Sequence, residues 1–115
     1  MVDLPKTESA DLFADLANDL MDKYPDLKLG EMMTNPGVKY KGRNFAVFLA
    51  DQDKPVFRVG KEFDVDSLGL SAWSHFNPSA DKPPMTDWIV VEFADKDKWV
   101  QLFESALTVT RGELH

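Results

Sequence analysis

A change of period at Pro25 constrains this chain more than any other feature. Upstream, Leu12, Phe13, Leu16, Ala17, Leu20, Met21 and Tyr24 recur every three or four residues, which makes one apolar stripe along a helix. Asp11, Asp15, Asn18, Asp19 and Asp22 fall on the other side. Thr7 and Ser9 are candidate N-caps, with Glu8 and Asp11 placed to meet the positive end of the helix dipole. Pro25 disfavours helical backbone in the residue before it and stops the helix near Tyr24. Downstream the period drops to two. Leu27-Lys28-Leu29-Gly30-Glu31-Met32 alternates apolar and polar residues, the pattern of a half-buried strand.

The same period continues through short turns. Asn35-Pro36-Gly37 reads as a turn, with Gly37 available for a positive φ; Val38-Lys39-Tyr40-Lys41 alternates again, and Gly42-Arg43-Asn44 reads as the next turn. Phe45 to Leu49 is apolar throughout, as a central strand covered on both faces must be. Asp51-Gln52-Asp53-Lys54 then leads into Val56-Phe57-Arg58-Val59. Strands joined this closely pair antiparallel. Further on, Asp64 or Asp66 can cap a short helix carrying Val65, Leu68 and Leu70, and Trp73 to Pro78 reads as an additional short strand. Ser79 to Pro84 is a loop stiffened by paired prolines, and Trp88 to Phe93 is a strand. Asp95 is positioned to cap a last helix with a Trp99, Leu102, Phe103, Ala106 and Leu107 stripe, closed by Gly112. The predicted order is α-β-β-β-α-β-α: an α+β fold in which N- and C-terminal helices pack on one antiparallel sheet.

With 115 residues the chain suits one domain spanning residues 1–115, and a hydrophobic fraction of 43% supplies a core without staples. There is no Cys, so disulfides, thiolate metal sites and cysteine nucleophiles are excluded. A formal charge of −7 opposes non-specific nucleic-acid binding, which depends on cations neutralising phosphates. No apolar run is long enough to span a bilayer, and Met1 to Lys6 lacks a secretory pattern. A cytoplasmic protein without membrane association is therefore expected.

The stretch from Met32 to Ala46, with Met32, Gly37, Gly42, Phe45 and Ala46 in register, resembles the opening of TfoX N-terminal domains. Val56 to Val59, Phe76-Asn77-Pro78 and Pro84-Met85-Thr86-Asp87-Trp88 resemble later segments of that family, as does the helix from Trp99 to Ala106. Thr34 and Asn35 stand where the family has paired glycines. YjbR-like domains share the architecture and strand pattern and form the competing assignment. The TfoX resemblance implies a small regulatory or protein-interaction domain, and neither resemblance supplies a catalytic residue.

The residues themselves show no catalytic constellation. His75 is the only interior histidine, without a visible base–nucleophile arrangement, and the acidic residues lack the spacing of a calcium loop. The six glycines are scattered, so no phosphate-binding fingerprint exists, and no metal or cofactor is expected. Two features stand out. Lys39-x-Lys41-x-Arg43, joined by Arg58, puts positive charge on an acidic protein, suited either to an anionic partner or to protecting an edge strand. Trp73, His75 and Trp88 are the candidate lining of a pocket between the sheet and the Ser79–Pro84 loop. The leading expectation is a non-catalytic domain that binds a protein partner or a second copy of itself. The alternative is a small-molecule-binding or enzymatic domain built on that pocket.

Overall fold

A computed structural model describes residues 6–32, 35–77 and 83–113. Along the chain these form α1 (Glu8–Lys23), β1 (Leu27–Met32), β2 (Asn35–Tyr40), β3 (Arg43–Leu49) and β4 (Lys54–Arg58). A 3₁₀ turn (Val65–Leu68), β5 (Trp73–Phe76), β6 (Met85–Val91), a 3₁₀ segment (Phe93–Lys98) and α2 (Trp99–Glu113) follow. The six described strands make one antiparallel sheet in the order β1-β2-β3-β4-β6-β5. Both helices pack on one face of it, and the Cα radius of gyration is 13.1 Å. The α+β class expected from the sequence is the class observed. The expected order undercounts the strands ahead of the 3₁₀ turn, which number four among the described residues, and the additional short strand expected from Trp73 is β5.

The α1 stripe buries Phe13, Ala17 and Leu20 against the sheet. Thr7 is the N-cap, its hydroxyl accepting from the Ala10 amide at 3.1 Å and donating to Asp53 Oδ1 at 2.6 Å. One side chain thus closes the helix start and ties it to the β3–β4 turn. Ser9 lies buried inside the helix and is not the cap. The helix stops at Tyr24, one residue before Pro25.

β3 is the centre of the core. Phe45, Ala46, Val47 and Phe48 are fully buried, and Leu49 nearly so. Val38 faces Ala46 while Lys39 faces Asn44, so Phe45 is the extra residue of a bulge. The bulge turns Phe45 and Ala46 to the same side as Phe48, into the helix-side core with Phe13, Phe57 and Phe103. Val47 and Leu49 enter a second apolar cluster with Val56, Phe76, Trp88 and Val90. Each fully buried phenylalanine contributes on the order of 2 kcal/mol from apolar burial.

Two turns lie elsewhere than the sequence suggests. Asn35, Pro36 and Gly37 belong to β2, where Gly37 pairs with Gly30 on one side and Val47 on the other. Proline has no N–H to give a ladder, and pairing with β3 begins only after Pro36. Asn35 Oδ1 instead accepts from the Ala50 amide at 3.0 Å. The β2–β3 turn is Lys41-Gly42, both at positive φ (49° and 83°), between the paired residues Tyr40 and Arg43. That is the type I′ geometry which matches the twist of two antiparallel strands, and glycine adopts it without strain. Gly112 lies within α2 rather than after it. Asp95 sits in the 3₁₀ segment, buried, and does not cap α2.

Gly37 is required by space, not by φ. A Cβ there would stand 2.4 Å from the Ala46 carbonyl oxygen and 2.9 Å from Val47 Cγ2. Backbone cannot yield as a flexible side chain would, so Gly37→Ala is expected to cost about 1–3 kcal/mol in urea unfolding. Gly112→Ala, which would meet nothing within 4 Å, is expected to lose none. Thr7→Ala removes a cap and a long-range tie together; its expected loss is about 1–2 kcal/mol by the same measurement.

Candidate functional site

Two places on this frame carry the residues singled out by the sequence. The first is the β1–β2–β3 end of the sheet. β2 lies between β1 and β3, so Lys39 does not protect an edge; the edges among the described strands are β1 and β5. In the β1–β2 register Leu27 faces Tyr40, and both are buried on the helix side. The next pair, Lys28 and Lys39, therefore leaves the sheet on the face opposite the helices. Directly opposed like charges weaken a strand pair. Neither lysine's side chain makes an ion pair or hydrogen bond with a described residue. Leu29, the next residue of the edge strand, pairs with Val38 on the helix-side face and is 56% exposed.

The structure separates the rest of the expected cluster from Lys39. Lys41 belongs to the hairpin turn, and its ammonium lies 5.4 Å from the centre of the Tyr40 ring. Arg43 opens β3 and is exposed. Arg58 pairs with Asp87 at 3.3 Å and lies across from Trp88. Lys28, absent from the expected cluster, is the cation that the register brings to Lys39. Only the turn position in the β1–β2 hairpin could have revealed it. On the helix side, the Arg111 guanidinium lies 5.2 Å from the Tyr24 ring centre and 5.7 Å from that of Tyr40, joining α2 to α1 and β2. Glu104 accepts from Tyr24 Oη at 3.3 Å and pairs with Lys23 at 3.2 Å. The hydrogen bond to Glu104, reinforced by its negative charge, raises the Lys23 pKa above the ordinary lysine value.

The second place is an open cleft of about 230 Å³ between β5–β6 and residues 60–66. The chain leaves β4 at Gly60, whose amide donates to the Asp87 carbonyl at 3.0 Å, and turns through the 3₁₀ helix. β5 is then set by Asp95. Its buried carboxylate accepts from the Ser71 amide at 2.9 and 3.1 Å and from the Ala72 amide at 3.4 Å, just ahead of Trp73. Trp73 and His75, two apart on one strand, share a face and enter the cleft wall edge to face, with ring centres 5.1 Å apart. His75 Nδ1 is buried without a hydrogen-bond partner. Phe63, Val65 and Ile89 supply apolar wall, while Lys61, Asp64, Asp66 and Thr86 supply polar groups.

Trp88 does not line this cleft. It is 5% exposed in the apolar cluster on the other face of the sheet. Ile89, opposite His75, faces the helix side, so its neighbour Trp88 alternates to the other face with Val90. Ser79 to Lys82 of the loop expected to wall the pocket lie outside the described residues, and the described wall is the 60–66 segment instead. Asp64 and Asp66, read from sequence as helix-cap candidates, line the cleft; the Asp64 side chain makes no cap bond.

Among the described residues, no group of three or more His, Asp or Glu side chains is placed to hold a metal ion. No described helix is long and apolar enough to cross a membrane. Compared with known proteins, the chain matches no family model, no curated protein and no solved structure.

The Asp95 clamp sets the start of β5 and hence the positions of Trp73 and His75. Asp95→Ala leaves the Ser71 amide without its acceptor and is expected to destabilise the fold by about 2–3 kcal/mol. Limited proteolysis should then cut the variant between Gly69 and Trp73 at protease levels that leave the wild type intact.

Proposed function

We propose that this chain is a small non-catalytic regulatory domain that binds an acidic segment of a protein partner at its β1 edge. The observation that carries the reading is the Lys28–Lys39 pair, two like charges set directly opposite one another where β1 forms the edge of the sheet. An edge strand offers main-chain groups to an incoming extended segment, and alternating side chains give that contact its selectivity. A carboxylate entering between the two ammonium groups converts their repulsion into attraction. The chain is acidic as a whole, so this positive spot also orients an approaching partner. The resemblance to TfoX N-terminal domains agrees with such a role, and YjbR-like domains remain the rival kinship.

Affinity capture with mass spectrometry, run in parallel on the wild type and on Lys28→Glu/Lys39→Glu, tests the reading. Acidic proteins released by salt from the wild type and missing from the variant are the expected result. Identical sets from both proteins, or salt-sensitive binding of a mixed DNA duplex, would overturn it. Light scattering separates the remaining occupant: a dimer that dissociates in the variant would assign this edge to a second copy of the chain.

A further inference from the structure

We infer that the cleft beside β5 is a receptor for a guanidinium group. It lies on the helix-side face of the sheet, apart from the Lys28–Lys39 face, so it stands independently of the partner-binding reading.

The cleft is small. About 230 Å³ is below the usual range for drug-sized ligands and suits one side chain or a compact metabolite. Its lining specifies the charge. Asp64 and Asp66 bring two carboxylates to Lys61's single ammonium, and neither carboxylate is paired with a cation among the described residues. The lining also specifies the shape. Trp73 is 37% exposed, and an indole is the best aromatic partner for a cation. Indole and carboxylate together match the two properties that separate guanidinium from ammonium: a flat, weakly hydrated face and paired N–H donors that engage carboxylates two at a time.

His75 stands beside Trp73 in the cleft wall. Its Nδ1 is buried with no partner, although buried ring nitrogens are nearly always satisfied. The ring meets Trp73 edge to face. Phe63, half-buried in the cleft wall, meanwhile offers apolar surface to the methylene stem that carries a guanidinium.

The test uses two guanidinium probes, agmatine and an acetylated, amidated Gly-Arg-Gly peptide, with putrescine and the Gly-Lys-Gly peptide as ammonium controls. Binding is read by calorimetry and tryptophan fluorescence on the full chain. Saturable binding of agmatine or of the arginine peptide with a Kd of roughly 0.1–1 mM is expected, at least about 10-fold tighter than the matching ammonium compound. Agmatine binding alone indicates a free metabolite; binding of both indicates an arginine side chain of a partner. Trp73→Ala should abolish the signal, and Asp64→Asn/Asp66→Asn should weaken binding by about 10-fold or more. The Asp residues are exposed, so the double variant keeps its fold even if Trp73→Ala does not. No saturable binding of either guanidinium probe, equal affinity for the ammonium controls, or undiminished binding by the Asp double variant would each overturn the assignment.

Discussion

The whole arrangement depends on the burial of β3 from both sides. Five consecutive residues, Phe45 to Leu49, are shielded from solvent, and the bulge at Phe45 decides which of them face the helices. With strict alternation Phe45 would share a face with Val47 and leave the helix-side core; the extra residue keeps three aromatic and small side chains together beneath α1 and α2. The cost of a one-residue slip is then large, because it would move buried phenylalanines to the wrong face. Gly37 reinforces this from β2, since only a residue without a side chain fits against the Ala46 carbonyl. Register at β3 fixes register at β2, and β2 in turn fixes which side of the sheet β1 shows to each solvent face. The opposition of Lys28 and Lys39 is a consequence of that sequence of constraints rather than a local preference of either strand.

Periodicity made the large elements legible. The α1 stripe, the arrest at Pro25, the alternating β1, the uniformly apolar β3 and the α2 stripe all follow from which side chains must leave water. Turn chemistry was less legible. Asn35-Pro36-Gly37 has turn composition, yet the sheet uses proline's missing donor to end a ladder and glycine's missing side chain to admit a close neighbour. Lys41 occupies a positive-φ position that composition assigns more readily to the residues after it. Asp95 has the composition of a cap, but its carboxylate serves amide groups more than twenty residues upstream, a contact no local pattern encodes.

The candidate sites were half legible for the same reason. Trp73 and His75 are two residues apart on one strand, so their common face was implicit. Trp88 precedes Ile89, the residue opposite His75, and so alternates to the other face; only the pairing of β5 with β6 reveals this. Lys39 was visible as part of a basic run, whereas its real neighbour, Lys28, comes from another strand. Lys41 and Arg58 have their charges engaged by the Tyr40 ring and by Asp87. A basic run in sequence thus resolves into one cross-strand pair of cations, Lys28 exposed and Lys39 half-buried, and several structural contacts.

Cross-linking across the first hairpin tests the register most directly, because a chain without cysteine allows two to be introduced cleanly. Directly opposed strand residues have Cα atoms within bridging distance of a disulfide, provided both side chains leave the sheet on the same face. The account predicts that Lys28→Cys/Lys39→Cys oxidises to a single intramolecular disulfide with the fold retained, while Lys28→Cys/Val38→Cys, one residue out of step, does not close. Efficient closure of the second pair and failure of the first would contradict the register, and with it the placement of every residue on these two faces.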